Sequence, residues 1–226
     1  MAVLEVRNNE PSLPDELIGA SIRKVADALY QTAQMYIEDD DIDEPLAIVL
    51  TGAPGIGKTT LANMLALKLT GSNFAVITEN GKEVGVHRVR EYMDKMNESN
   101  IFSITGHQCW IINEGDKITD DGQTAFLSLL DQCPANHHII LTSNEDMDNW
   151  SERFQTRFEV FPIDSPVSTE ITDGLIKRLA PKQLKDNEKL KKAWPQVVSV
   201  AAKACRGNVR QAIKELKAWK RKNRIL

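Results

Sequence analysis

The chain has 226 residues, 42% of them hydrophobic and 27% charged, which is enough apolar material for one full core or for a large domain with a small one. No apolar run approaches the roughly 20 residues of a membrane span, and the opening residues lack the basic-then-apolar order of a signal peptide, so a cytoplasmic location is expected. The net charge of −4 is unevenly placed: residues 1–167 hold 12 Lys/Arg against 27 Asp/Glu, and residues 168–226 hold 16 against 5. That asymmetry fits nucleic-acid contact by the basic part, head-to-tail packing between subunits, or simply solvated helix faces. Cys109, Cys133 and Cys205 have no metal-type spacing and are expected to be reduced thiols.

In chain order, a helix is predicted over 19–37, followed by the acidic stretch 38–44 and Pro45, read as an exposed connection. Short β-branched runs then alternate with helical patterns: strand 46–51 and helix 58–70, strand 74–78 and helix 86–97, strand 109–113 and helix 120–131, then strand 138–142. Such alternation predicts a parallel sheet with helices on both faces. A fifth strand over 158–163 is closed by Asp164-Ser165-Pro166, after which amphipathic helices are predicted over 169–179, 186–204 and 207–222. The division expected is an α/β domain over 1–166 and a helical domain over 167–226.

The strongest chemical signal is Thr51-Gly52-Ala53-Pro54-Gly55-Ile56-Gly57-Lys58-Thr59-Thr60, a complete G-x-x-x-x-G-K-[ST] between an apolar strand and a helix. Its glycines let backbone N–H groups wrap phosphates at the positive end of the helix. Lys58 supplies a point charge to the β- and γ-phosphates of ATP, and Thr59 offers a hydroxyl to Mg²⁺. The next apolar strand ends in Asn113-Glu114-Gly115-Asp116. Glu114 is the candidate base that orients the attacking water, and Asn113 stands beside the metal as a neutral carbonyl donor. Asn144, after the fourth strand, reads as a turn residue in isolation and as a γ-phosphate or water contact after a P-loop and Glu114. Arg157, before the fifth strand, and Arg210, at the start of the last helix, each carry a planar fork suited to phosphoryl charge.

Taken together, these segments resemble an AAA+ ATPase of the clamp-loader type, similar to the small subunits of replication factor C and their viral counterparts. The resemblance covers most of the chain. It includes Leu17-Ile18-Gly19, similar to the segment around adenine, and the helix bearing Val86-His87-Arg88-Val89-Arg90. Asp121-Gly122-Gln123-Thr124-Ala125-Phe126-Leu127 resembles the run after the Walker B strand, Gln155-Thr156-Arg157-Phe158 the arginine-finger segment, and Gly207-Asn208-Val209-Arg210 the sensor-2 segment. The resemblance implies a P-loop parallel five-stranded sheet with a small helical lid. One subunit would hold ATP through Ile18, Gly19, Lys58, Thr59, Glu114, Asn144 and Arg210, and its neighbour would supply Arg157. It also implies a homo- or hetero-oligomer acting on DNA and a replication protein such as a sliding clamp, with Lys82, Arg88 and Arg90 facing DNA or else solvent.

Two departures qualify that picture. Asn113 stands where the family has Asp, and the sequence stops at Leu226, where clamp loaders continue into a helical collar. A ring, a filament on DNA and membership of a larger complex all stay open. Three functions follow in order: an ATP-driven loader or remodeller of replication components, a nucleotide-gated DNA-binding or partner-recruiting protein with slow or absent hydrolysis, and a monomeric P-loop kinase.

Overall fold

A computed structural model describes residues 11–39, 41–96, 102–147, 150–181 and 187–225. The opening residues, Asp40, Asn97 at the predicted end of one helix, Asp186 at the predicted start of another, and Leu226 lie outside them.

Five strands form one sheet: β1 (Ala47–Thr51), β2 (Val76–Asn80), β3 (Gln108–Asn113), β4 (His137–Ser143) and β5 (Glu159–Pro162). Their order is β2-β3-β4-β1-β5, and every neighbouring pair is parallel. A parallel strand must be reached by a crossover, and the intervening segments supply it as α2 (Lys58–Thr70), α3 (Val86–Met96) and α4 (Asp120–Leu130), with the one-turn α5 (Glu152–Gln155) before β5. α1 (Ala20–Glu38) precedes the sheet.

Side chains alternate along each strand, so successive residues enter different cores. Ile48, Leu50, Ile111 and Ile140 pack with α1 and α2 around Ile22, Leu29, Leu61, Leu65 and Leu69. Val49, Trp110, Ile112, Ile139 and Leu141 pack on the other face with Val89, Tyr92, Phe126 and Phe154 from α3, α4 and α5. Both faces of the sheet are therefore covered, which is why β3 and β4 read as continuous apolar runs.

After β5 come α6 (Ser168–Arg178), α7 (Glu188–Ala204) and α8 (Val209–Lys222), which share a third cluster around Trp194, Val198, Ala202 and Leu216. Trp194 Nε1 donates to the Ile176 carbonyl at 3.0 Å, satisfying the buried indole. Ile18 belongs to this cluster as well, so the segment before α1 is pinned to the C-terminal helices. Among the described residues, no helix is long and apolar enough to cross a membrane.

Several local bounds differ from expectation, α8 for one beginning at Val209 rather than at 207. The strand predicted over 74–78 begins two residues later, because Asn73–Ala75 forms a 3-10 turn in which the Ser72 side chain accepts the Phe74 N–H at 3.2 Å. Phe74 is 78% exposed, with its ring 6.4 Å from that of Phe102. α5 was not expected at all; its fully buried Phe154, edge-on to Phe126 and tilted against Trp150 and Phe158, holds that turn in place.

Because all five strands run the same way, the sheet has two unlike edges. Thr51, Asn80, Asn113, Ser143 and Pro162 end strands at one, while Ala47, Gln108, His137 and Glu159 begin strands at the other.

Candidate nucleotide site at the carboxyl edge of the sheet

The loop from Thr51 to Lys58 turns sharply enough to need glycine. Gly52 has φ 138°, and a Cβ there would lie 2.3 Å from the Ile163 carbonyl oxygen. Gly55 has φ 81°, and its Cβ would meet Asn208 Oδ1 at 2.1 Å, so the last helical segment closes directly over the loop. Ala53 and Pro54 are exposed at the tip, and Ile56 is buried beneath it. Gly57 caps α2, which opens with Lys58, Thr59 and Thr60.

Lys58 is only 6% exposed, and its ammonium donates to Gly52 O at 2.6 Å, Ala53 O at 2.8 Å and Asn144 Oδ1 at 3.0 Å. Burial pushes its pKa down to about 8; the nearby Arg210 charge acts the same way, and the Asp116 carboxylate opposes both. Thr59 donates its hydroxyl to Asn113 Oδ1 at 2.9 Å, and Thr142 donates to the same oxygen at 3.1 Å. Two hydroxyl donors fix the orientation of the Asn113 amide, with its oxygen toward Thr59. The Glu114 N–H donates to Thr142 Oγ1 at 3.4 Å, and Glu114 itself has φ 56° and ψ 49°, a left-handed conformation uncommon outside glycine.

Thr142 and Asp116 are functional neighbours that the sequence reading passed over. Thr142 joins Glu114 to Asn113 only because β4 pairs with β3. Asp116 Oδ1 accepts the Asn144 N–H at 3.2 Å, and its other oxygen lies 2.9 Å from Lys117 Nζ. Burial works against the Asp116 charge, but the bonds from Lys117 and the Asn144 amide prevail and hold its pKa below the ordinary value.

The donor set suits Mg²⁺ held jointly with phosphates. The Thr59 hydroxyl and the Asn113 carbonyl are hard oxygen donors, and no group of three or more His, Cys, Asp or Glu among the described residues could hold a metal alone. Asn113 differs from a carboxylate in bringing no negative charge.

Ile18 and Gly19 lie beside the C-terminal helices rather than in the polar network. Ile18 packs against Gly174 of α6, and the Ala20 N–H donates to Glu170 Oε1 at 2.7 Å. Arg210 closes the other side, its backbone N–H donating to Gly55 O at 3.1 Å while its side chain is exposed. Lys58, Thr59, Asn113 and Asn144 are thus joined in one place, with Glu114 attached through Thr142 and Arg210 through the loop backbone.

Arg157 is not part of this assembly. It precedes β5 at the amino edge of the sheet, and β1, running in register with β5, separates that edge from the loop by five residues, roughly 16 Å of strand. There it pairs with Asp131 at 2.6 Å and, with Leu127, Arg153 and Thr156, lines a cavity of about 310 Å³. Of the cations near α3, Arg88 pairs with Glu79 and Glu91 and lies 5.5 Å over the Tyr92 ring, whereas Lys82 and Arg90 are exposed. Hydrogen bonds that Arg88 donates to Glu91 and then to Glu79 raise its pKa.

Residues 48–163 match the ATPase family associated with various cellular activities (AAA). The replication factor C small subunit of Staphylothermus marinus is 29% identical over 179 residues, which make up 76% of this chain and 50% of that protein. The replication factor C large subunit of Pyrobaculum calidifontis is 26% identical over 194 residues, 83% of this chain and 43% of that protein. The chain spans about half the length of the curated relatives it matches. Among solved structures, a RuvB variant from Thermotoga maritima has a TM-score of 0.69 at 21% identity, covering 92% of this chain and 64% of that one. A DNA polymerase III gamma subunit-related protein from the same organism has a TM-score of 0.54 at 16% identity, covering 83% and 71%. At these identities both report the shared fold alone.

Proposed function

We propose, for a chain that belongs to the AAA family of ATPases, that it binds Mg-ATP at the carboxyl edge of its sheet and hydrolyses it only within an assembly, where it loads or remodels a component of DNA replication. The observation that carries this reading is the separation of Arg157 from the Lys58 network across the sheet. A guanidinium on the far edge cannot serve its own nucleotide, but it is free to serve the next subunit's. Repetition of that head-to-tail contact, between like or unlike chains, gives a ring or an open spiral.

Within one site, Lys58 would release the loop carbonyls to meet the β- and γ-phosphates, and the loop N–H groups with the start of α2 would receive the remaining charge. Thr59 and Asn113 would hold Mg²⁺, which would supply charge neutralisation to the phosphates. Glu114 would orient the attacking water, with Asn144 beside the γ-phosphate and Arg210 above it. Ile18 and Gly19, pinned to α6, would border the base. On this reading residues 1–166 are the nucleotide-binding unit and 167–226 a lid. The similarity to replication factor C subunits supports a clamp-loader-like role, with DNA and a sliding clamp as partners. The neutral Asn113 favours a second reading, a nucleotide-gated switch whose hydrolysis is slow.

The test is nucleotide binding and steady-state turnover of the wild-type chain and two variants. Lys58→Ala is expected to abolish ATP binding, and Glu114→Gln to retain binding while turnover stops. Tight binding by Lys58→Ala would refute the site.

A further inference from the structure

α8 presents Arg210, Lys214, Lys217 and Arg221 at intervals of four, three and four residues, which places all four on one face of the helix. All four are exposed, and Arg224, just past the helix, is exposed as well. Among the described residues, none of these five cations forms an ion pair. Glu215, the only acid in α8, is bonded instead to the Gln211 amide at 2.9 Å. Successive like charges at such spacings repel along a helix; the helix dipole favours Arg221 in the last turn but opposes Arg210 in the first. The opposite side of α8 is held firm by Val209, Ala212 and Leu216 in the third core, so the cations stand on a rigid support.

We propose that this stripe is a nucleic-acid backbone contact, coupled to the nucleotide site through the first turn of α8. Lys214, Lys217 and Arg221 are stepped by about 4.5–6 Å and span about 10 Å, the rise of roughly three phosphates along one strand, with Arg210 left to the nucleotide at the head of the helix. A regular ladder of charge suits a phosphodiester strand better than the irregular acidic connection 38–44 of a second copy, which is the competing anion within this sequence. Contact must come from the lid, because residues 1–167 carry the acidic excess and would repel a polyanion. The cations expected on α3 are a poorer platform, since Arg88 is already committed to Glu79 and Glu91. The coupling, though not the stripe, rests on the ATP-binding reading: the Arg210 N–H is bonded to Gly55 O, so a phosphate loop that moves takes the head of the stripe with it. Linkage then requires nucleic acid and ATP to alter each other's affinity by one common factor.

The experiment measures anisotropy of a fluorescent duplex of about 25 base pairs across a salt titration, with and without a non-hydrolysable ATP analogue. The variant is Lys214→Ala/Lys217→Ala/Arg221→Ala, which spares Arg210. It is expected to weaken duplex binding on the order of 100-fold at about 0.1 M salt and to lower the salt slope by about three, with analogue affinity unchanged. Lys82→Ala/Arg90→Ala is expected to change binding less than the triple variant does. Wild-type affinity and slope in the triple variant would overturn the stripe. So would loss of self-association with duplex affinity intact, which would assign this face to a second copy. An analogue that binds without altering duplex affinity would overturn the coupling alone, and an analogue that fails to bind would count against the ATP site and leave the stripe to its own result.

Discussion

The two edges of the sheet treat their polar groups differently. At the carboxyl edge, Lys58, Thr59, Asn113, Thr142 and Asn144 are bonded through groups that a phosphate or cation could claim, and Glu114 is held in a left-handed conformation. At the amino edge, His138 is fully buried in a closed circuit. Its Nδ1 accepts the Leu46 N–H at 3.2 Å, so Nε2 carries the proton and donates to His107 Nδ1 at 2.8 Å. Tyr36 packs edge-on against the same ring, with centroids 5.1 Å apart. The carboxyl-edge bonds run through groups that a ligand could take over, whereas His138 spends both ring nitrogens within the protein, and Arg157 is the exception on the amino edge, with an exposed guanidinium.

The sharpest way to break this contrast is to remove that exception. Arg157→Ala is expected to leave nucleotide binding by isolated subunits intact and to lower turnover of the assembly by roughly 10³–10⁵-fold, the range for a lost arginine finger. Mixing it with Lys58→Ala subunits is expected to restore part of the activity, because each variant keeps the half of a shared site that the other lacks. Co-assembly shown by sedimentation with no recovery would count against action across subunits.

A smaller effect is expected at Asn113. Asn113→Asp keeps the size and the acceptor for Thr59 and Thr142 while adding a charge, and is expected to raise turnover about ten-fold and lower the Mg²⁺ concentration needed. The measurement is steady-state hydrolysis across a Mg²⁺ titration. If the Asp variant is no faster at any concentration, the neutral amide is not what limits hydrolysis.

The smallest effect sharpens the contrast from the other edge. Burial first, and then the nearby His107 and His137, drive the His138 pKa down to about 3, below the ordinary 6.5. The unfolded chain therefore binds more protons below pH 6.5, so this contribution to stability is complete above that pH and is lost progressively as pH falls toward the folded value. Urea unfolding is expected to show a loss of about 1–2 kcal/mol between pH 6.5 and 5 that shrinks in His138→Gln, with ATP binding at pH 7 unchanged. An equal pH-dependent loss in both proteins would mean that the histidine circuit does not carry it.

Legibility in the sequence followed the range over which each feature is defined. The phosphate loop is contiguous, and its strand and helix flank it directly, so residues 46–70 could be read almost to the residue. The parallel sheet and the three C-terminal helices were likewise written in their periodicities. Asn144 and Glu114 were legible as strand ends that follow a P-loop. Thr142 was not, because its place between Glu114 and Asn113 comes from the register of β4 on β3. Nor was the histidine circuit, which needs the starts of β1, β3 and β4 brought to one edge. The β2 boundary slipped because Phe74 looks like a strand residue, while the Ser72 side chain, a local competitor for the backbone, makes a turn of it.

The resting position of Lys58 bears on ligand choice. An ammonium has three N–H donors, and here all three are spent, on Gly52 O, Ala53 O and Asn144 Oδ1. Ligand arrival is therefore a substitution reaction at nitrogen-bound protons, in which the incoming anion must displace acceptors already in place. A ligand with one weakly charged oxygen gains little by that trade, whereas a chain of phosphates replaces several neutral carbonyls with ionised oxygens at once. On the proposed reading the loop would screen its ligands by charge before any contact with base or sugar, and adenosine, which brings no phosphate, is expected to leave the lysine bonds in place.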